Sequence, residues 1–553
     1  MPAIAGIFAP QTEDMRFAEA MAEMLVHRAP ESSSATWFAQ DAAPRLQANP
    51  MPSTSAIPAL AVLVQRPAAG ADTHSHAQQR YWISFDGILY NAAALRAELE
   101  LGEMADATLA LAAFARWGAD AFARLHGAWA LAIYDHDTQT LTLARDPFGI
   151  RPLYYWNNRG KLAFASEVKA LFALPEIRPR LERQAMVDFL CHGGALHFFS
   201  HVTPLPPGHA VTVSRAQPLP RPVAYAHTAG ETHLLGDHDA ANRLAVLLDD
   251  AVALRAIHGP VGACFTGGLA STALTTVLRR HLGDGTMLNS FTAHFPPEQD
   301  ERTWLTLLNS VSHTLVNSIN PLPEEFMAEL DTLLWHQEQP FADLGDYTEW
   351  CVMRCAYEAR TPHLLTPTGA DTLFGISEPV PEAKRGLFNR LTPERALARL
   401  MPEATPATPA DAIALRLHAQ DRNSAVFALE AHSPFLDPRV AQFIRGLAPS
   451  QRARMGTLRR AFRDILPEPL LNREGHYRFT APLMRWMQDA ILPALMADIK
   501  QSRTPLVPII HAGALRELAT RQVNHPDAAL APLLFRLFIA NRWMMRFNVA
   551  PVM

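Results

Sequence analysis

The chain has 553 residues, too many for one hydrophobic core, so two large domains are expected. With 49% hydrophobic and 19% charged residues it is excluded from the disordered class, and 49 basic against 54 acidic side chains (net −5) leave no positive field for nucleic acid or an anionic membrane. Four cysteines, at 191, 264, 351 and 355, are too few and scattered for a disulfide framework or a zinc site, and with lysine only at 161, 169, 384 and 500 most cationic roles fall to arginine.

The opening MPAIAGIFAP has no basic leader and runs into a helical stretch from Met15 to Leu25, so it does not read as a secretory signal. No apolar run reaches the roughly 20 residues of a membrane span, and a cytoplasmic protein is expected. Over residues 1–212, the short runs AIAGIFA, PALAVLVQR, YWISFDGILYN, AWALAIYD, TLTLARD, LYYW and KLAFAS predict packed β-sheets with a few helices. The stretch Thr203 to Ala226 carries six prolines, at 204, 206, 207, 218, 220 and 222, which argues against a regular element. Residues 213–236 are read as the linker. From 237 to 553, long helical patterns alternate with brief strands such as VGACFT, NSFTAHF and HLLTPT, predicting a parallel α/β sheet with its ligand at the carboxyl ends of the strands. Met401 to Ala410 reads as a loop, and no internal repeat is present.

Phe265, Thr266, Gly267, Gly268, Leu269, Ala270, Ser271 and Thr272 lie between the strand VGAC and a helix expected to begin near Thr272. A glycine pair there lets backbone N–H groups approach phosphate, and the hydroxyls and helix dipole add donors; a bare glycine turn is more often just a tight connection.

With its surroundings this loop resembles the SGGxDS pyrophosphate loop of the asparagine synthetase superfamily. Matching segments follow in order: Asp300-Glu301, Gly369 to Gly375 (GADTLFG), Leu429 to Asp437 (LEAHSPFLD), and Leu458-Arg459-Arg460 with Leu466-Pro467 and Arg473. The first half matches through IAGIF, His27 to Pro30 (HRAP), Asp86-Gly87 with Tyr90-Asn91, Ala144 to Tyr155 (ARDPFGIRPLYY), Phe164 to Lys169 (FASEVK) and Leu205 to His209 (LPPGH). The resemblance implies an N-terminal Ntn-hydrolase-like αββα sandwich, glutaminase-like, followed by a parallel-sheet ATP-pyrophosphatase domain of the adenine nucleotide α-hydrolase-like type. ATP and Mg²⁺ are the implied cofactors. Residues 265–269, Ser271, Thr272 and Gly369 would hold the nucleotide.

Departures from the family pattern narrow the function. Pro2 stands where the family has its glutaminase cysteine, and proline has no thiol to form a thioester. Asp86 replaces an oxyanion-hole asparagine and would repel a developing oxyanion. A dead glutaminase half is shared by β-lactam synthetases and lasso-peptide cyclases, which join an adenylated carboxylate to an amine of the same molecule. Thr368, at the catalytic tyrosine position of the β-lactam enzymes, favours the lasso cyclase. A precursor peptide would be the substrate, with a leader peptidase and a leader-binding protein as partners.

Two further departures touch catalysis. Ala270 replaces the loop aspartate, leaving Asp371 as the metal carboxylate; the intact loop around it favours an engineered inactive variant over a natural one-carboxylate enzyme or a pseudoenzyme. The family lysine is missing from Arg473 to Phe479, so His476 or Arg478 would replace it, Arg478 being the better cation unless it is a surface arginine. Glu430, before the apolar SPFLD, would be drawn inward as a base toward the amine or as a buried ion pair. His336 and His363 show no ligand spacing.

Overall fold

The computed structural model describes all residues except 10–14, 30–33, 40–41, 49–58, 67–74, 78–79, 227–229, 231, 257–258, 284, 296–301, 377–407, 474–480, 507–508 and 550–553. The expected loop at 401–410 lies mostly outside the described residues. The chain forms two compact units that are not separated by a single cut. Unit 1 comprises Met1–Arg178, His201–Ala229 and Ala425–Glu430; unit 2 comprises Pro179–Ser200, Gly230–Ser424 and Ala431–Met553.

Unit 1 is a pair of antiparallel sheets. One has seven strands in the order Thr203–Pro204, Tyr154–Asn158, Lys161–Ala165, Ala3–Phe8, Ala59–Arg66, Ser34–Ala39, Ala42–Ala48. The other has six, ordered Val223–Ala224, His209–Ser214, Thr140–Arg145, Gly127–Asp135, Tyr81–Leu89, Ser75–Ala77. Strand alternation sorts the side chains of Gly127–Asp135 between two apolar layers. Ala130, Ala132 and Tyr134 meet Ile4, Phe8, Leu162 and Phe164 between the sheets, while Trp129, Leu131 and Ile133 point into a second core with Leu95, Leu109 and Leu111. The helices Ala92–Leu99 and Asp106–Trp117 cover that side, and Met15–Glu23 packs on the other sheet, giving the αββα sandwich expected from the sequence.

The proline-rich stretch, expected to hold no regular element, contains the strand His209–Ser214, paired with Thr140–Arg145 over Ala210–Ser214. Pro204 lies opposite Tyr154 in the edge strand Thr203–Pro204, and the other prolines lie outside the paired residues, where no ladder donor is needed.

The segment ARDPFGIRP folds as a tight turn held largely by its own donors and acceptors. The Asp146 carboxylate accepts from the N–H groups of Phe148, Ile150 and Arg151 at 3.0–3.1 Å. Arg145 clasps the carbonyls of Gly149, Arg151 and Leu205 at 2.6–2.9 Å. Gly149, at φ 67°, takes a conformation that other residues resist. Burial raises the pKa of the Asp146 carboxyl, against the pull of those donors.

Unit 2 is built on a sheet of five strands in the order Thr314–Ile319, Leu288–Ala293, Val261–Cys264, His363–Leu365, Glu430–His432. The first four pair in parallel. The central strand Val261–Cys264 is buried throughout, as a strand covered on both faces must be. From it the chain moves to one neighbour, Leu288–Ala293, and later returns to the other, His363–Leu365. That reversal of strand order opens a crevice beyond the carboxyl ends. Pro179–Ser200 belongs here because Phe198 meets Trp543 edge-on at 5.6 Å and Phe199 packs tilted against it at 5.1 Å, and Arg536 donates to the Leu190 carbonyl at 2.9 Å. Among the described residues no helix is long and apolar enough to cross a membrane.

His418, on helix Pro409–Val426, hydrogen-bonds through Nε2 to the Gln337 carbonyl at 2.7 Å, at the end of helix Pro323–Gln337. Burial, helped by the nearby Arg422, pushes its pKa down to about 3. The unfolded chain therefore binds a proton here first, and stability is lost as pH falls from about 6.5 toward 3. The expected loss is at most about 1.4 kcal/mol per pH unit. Denaturant titrations from pH 7 to 4 should show His418→Gln flattening this slope; an unchanged slope would mean the imidazole is charged in the folded protein.

Candidate functional site

The glycine loop follows directly from the central strand. Phe265 continues the ladder by donating its N–H to the Phe291 carbonyl at 2.8 Å. Gly267 then turns with φ 80°, and Gly268 caps a helix, Leu269–Leu282, that starts three residues before the expected Thr272. Leu269, Ala270 and Ser271 thus form its first turn.

The hydroxyls hold the loop's own shape. Ser271 Oγ accepts from Thr266 N at 3.3 Å and donates to the Gly268 carbonyl at 2.9 Å, and Thr272 Oγ1 donates to the same carbonyl at 2.8 Å. Ser271 and Thr272 are 1% and 0% exposed, so of the two loop threonines it is Thr266 that faces the crevice. From the other side Arg473 donates to the Gly267 carbonyl at 2.8 Å and stacks 4.0 Å over Trp304. That clamp was matched in sequence only as a family segment.

The crevice beyond the strands is lined by Thr266, by Thr366, Thr368, Gly369, Asp371 and Thr372 after strand His363–Leu365, by Asp343 and Glu349, and by Arg416. Gly369 is required twice over. Its φ is 92°, and a Cβ there would meet Leu436 Cδ2 at 2.5 Å. Arg416 is ion-paired to Glu349, whose other oxygen accepts from Asn423 at 3.1 Å. Cys264 also touches the crevice, but burial drives its thiol pKa up, so it stays protonated and non-nucleophilic.

Asp371 is exposed in this crevice, on the short helix Ala370–Leu373. Among the described residues no three His, Cys, Asp or Glu side chains converge as metal ligands. A cation such as Mg²⁺, which takes most of its oxygens from phosphate and water, would have Asp371 as a carboxylate here. Ala270, 6% exposed, adds no oxygen.

Glu430 is ion-paired with Arg151 inside unit 1, and its other oxygen lies 4.0 Å from the Met1 amine. Of its two readings the structure displays the ion pair, and Glu430 does not line the crevice around Thr266 and Thr368. His476 and Arg478 lie outside the described residues, as do Asp300 and Glu301. His363, given no role by sequence, is stacked on His432, with Nδ1 3.0 Å from its Nε2.

At the glutaminase-like position of unit 1 the structure holds a knot of buried charge. Arg28 donates to the Pro2 carbonyl at 3.1 Å and to Glu167 at 3.0 Å, and lies 3.5 Å from Asp86. Ser166 donates to Asp86 at 3.0 Å, Arg151 approaches it at 3.5 Å, and Lys169 is paired with Glu167. Arg28, Asp86, Glu167 and Lys169 are each 0% exposed. None of the four cysteines belongs to unit 1.

Comparison with known proteins agrees with this architecture. The sequence model of the glutamine amidotransferase domain matches residues 1–222, and that of asparagine synthase matches residues 243–414 and 410–544. A Mycobacterium tuberculosis protein bearing the name asparagine synthetase (glutamine-hydrolyzing) is 27% identical over 590 residues, covering 88% of this chain and 87% of its own. Asparagine synthetase (glutamine-hydrolyzing) 1 of Bacillus subtilis is 27% identical over 318 residues, 55% of this chain and 49% of its own. Among solved structures, glutamine phosphoribosylpyrophosphate amidotransferase from B. subtilis is 12% identical with a TM-score of 0.32, covering 66% of this chain and 81% of that one. Asparagine synthase family members are ATP-dependent ligases that form carbon–nitrogen bonds with release of AMP. With more than half of its residues matched by that family's sequence model, this chain belongs to the asparagine synthase family and is a ligase of that kind.

Proposed function

We propose that this chain activates a carboxylate as its adenylate and joins it to an amine that does not come from glutamine. The observation that carries the reading is the state of unit 1: Pro2 in place of a thiol, and a position for glutamine chemistry filled by Arg28, Asp86, Glu167 and Lys169, all fully buried. An amine that needs no glutaminase is most simply supplied by the substrate itself. The preferred substrate is a precursor peptide whose Asp or Glu side chain is adenylated in the crevice at Thr266 and Asp371, then captured by the peptide's own N-terminal amine, a lasso-type macrolactam cyclisation. A leader peptidase and a leader-binding protein would prepare such a peptide. ATP would lie along residues 265–272 with Mg²⁺ on Asp371.

A second reading, synthesis of asparagine from aspartate and free ammonia, is favoured by the names of the relatives at 27% identity. Pyrophosphate release with ATP and Mg²⁺ separates the two. Stimulation by linear peptides with loss of one water from the peptide mass supports the cyclase; stimulation by aspartate plus ammonium supports the second reading. Under both, glutamate release from glutamine is expected to stay at the no-enzyme background, and release above it would overturn the assignment of unit 1.

A further inference from the structure

Unit 1 carries a cleft of about 420 Å³ where strand ends of its two sheets meet. It is lined by Trp156, Asn158, Arg159 and Lys161 of the hairpin joining strands Tyr154–Asn158 and Lys161–Ala165, by Arg215, which follows strand His209–Ser214, and by Glu176. That volume falls within the range of roughly 300–1,000 Å³ for small-ligand sites. Lys161 Nζ is paired with Glu176 Oε1 at 2.8 Å, whereas among the described residues neither Arg159 nor Arg215 is held by a carboxylate. Three cations therefore face one carboxylate, in a chain whose net charge is −5.

The walls of the cleft are fixed by bonds that leave the two guanidinium groups unused. Asn157 Nδ2 donates to the Pro218 carbonyl at 3.0 Å, tying the hairpin to the turn that carries Arg215. That turn is closed by the Ser214 N–H on the Gln217 carbonyl at 3.1 Å and the Gln217 N–H on Ser214 Oγ at 3.0 Å. The hairpin loop is only two residues long, Arg159 and Gly160, with φ of 49° and 90°. Where both φ values are positive, Asn or Asp before Gly is the preferred pair, because larger side chains resist the left-handed region. Arginine stands at the first position at a conformational cost, and what the cost secures is a guanidinium in the lining of the cleft.

We infer that this cleft binds a small phosphate-bearing anion, gripped by Arg159 and Arg215 with Lys161 as a third cation. A guanidinium fork matches two phosphate oxygens at once, and two forks beside a lysine suit a group carrying two or more negative charges better than a single carboxylate. Glu176 holds Lys161 in place and leaves the arginines to the ligand. The site lies wholly within unit 1 and does not depend on the ligase reading. It gives the glutaminase-like half a ligand of its own where Pro2 has removed the means to process glutamine.

Phenylglyoxal labelling of the full-length chain, read arginine by arginine by mass spectrometry, reports on this cleft separately from any nucleotide held elsewhere. The probes are inorganic pyrophosphate, AMP and citrate. A phosphate probe is expected to protect Arg159 and Arg215 together, at concentrations that rise with added salt, while the exposed Arg463 of unit 2 goes on reacting. Arg159→Asn should raise the concentration needed to protect Arg215 by about 10-fold, the loss of one hydrogen bond to a charged group. The same change should move the urea midpoint upward, because Asn fits the turn better, so weaker protection cannot be laid to misfolding. Protection by AMP at lower concentrations than pyrophosphate supports a nucleotide as the ligand, and the reverse order supports an inorganic phosphate. Citrate protecting at lower concentrations than both would overturn the phosphate class. Absence of protection by every probe, or protection of Arg215 unshifted by Arg159→Asn, would overturn the site, and either result leaves the ligase reading standing.

Discussion

Aspartate in place of Ala270 is expected to raise pyrophosphate release with ATP and Mg²⁺ by about 10²–10³-fold, the range associated with one preorganised electrostatic contact to the reacting groups. Residue 270 lies in the first turn of helix Leu269–Leu282, where the helix dipole favours a negative charge, and Asp371 lines the crevice that the loop borders. A second carboxylate there would share with Asp371 the cation that the proposed reaction requires. The same change carries an opposite effect on the unliganded protein. Ala270 is 6% exposed, so the new carboxylate would be buried without a partner and stability should fall by about 1–3 kcal/mol until nucleotide and Mg²⁺ are added. Turnover assays and thermal melts with and without Mg-ATP check both halves. A variant that gains neither turnover nor ligand-dependent stability would show that the loop does not bind the pyrophosphate through a metal.

Arg28→Ala should destabilise unit 1 by about 3–5 kcal/mol, the usual result of removing one partner from a buried ion pair. Arg28 is fully buried and links Glu167, Asp86 and the Pro2 carbonyl. Its loss leaves Asp86 with Ser166 and Arg151, and Glu167 with Lys169 and His27. Arg28→Lys keeps the charge but loses the fork that reaches three acceptors, and an intermediate loss is expected. Urea unfolding reads this directly. A change below about 1 kcal/mol would mean that water or protons already neutralise the carboxylates, since surface-like pairs are worth that little.

What could be read in the sequence follows the range of the interactions involved. The runs AIAGIFA, YWISFDGILYN, AWALAIYD and TLTLARD are strands because their alternation is local, and each is found in a sheet of unit 1. ARDPFGIRP was specific as text because the Asp146 carboxylate accepts from three N–H groups two to five positions away, beside a longer bond at 3.4 Å from Trp129 N–H. His209–Ser214 was lost among prolines, its pairing being with residues some seventy positions earlier. The cleft at Arg159, Lys161 and Arg215 has no sequence signature, since strand ends of two sheets bring its members together. Burial of Glu430 was legible from the apolar run after it. Its partner Arg151, 279 positions away, was not. The start of helix Leu269–Leu282 was placed late because Gly268, rather than a side chain, caps it.

The division of the chain into units also sets an order of events during synthesis. Unit 1 includes Ala425–Glu430, which a ribosome makes only after nearly all of Gly230–Ser424 has already emerged. Arg151 and the rest of the N-terminal half must therefore wait, one ion-pair partner short, while a long stretch of unit 2 is already able to collapse. A nascent chain halted before residue 425 would expose that deficit as protease sensitivity around Arg151, and one halted far enough beyond residue 430 for Glu430 to clear the exit tunnel would not.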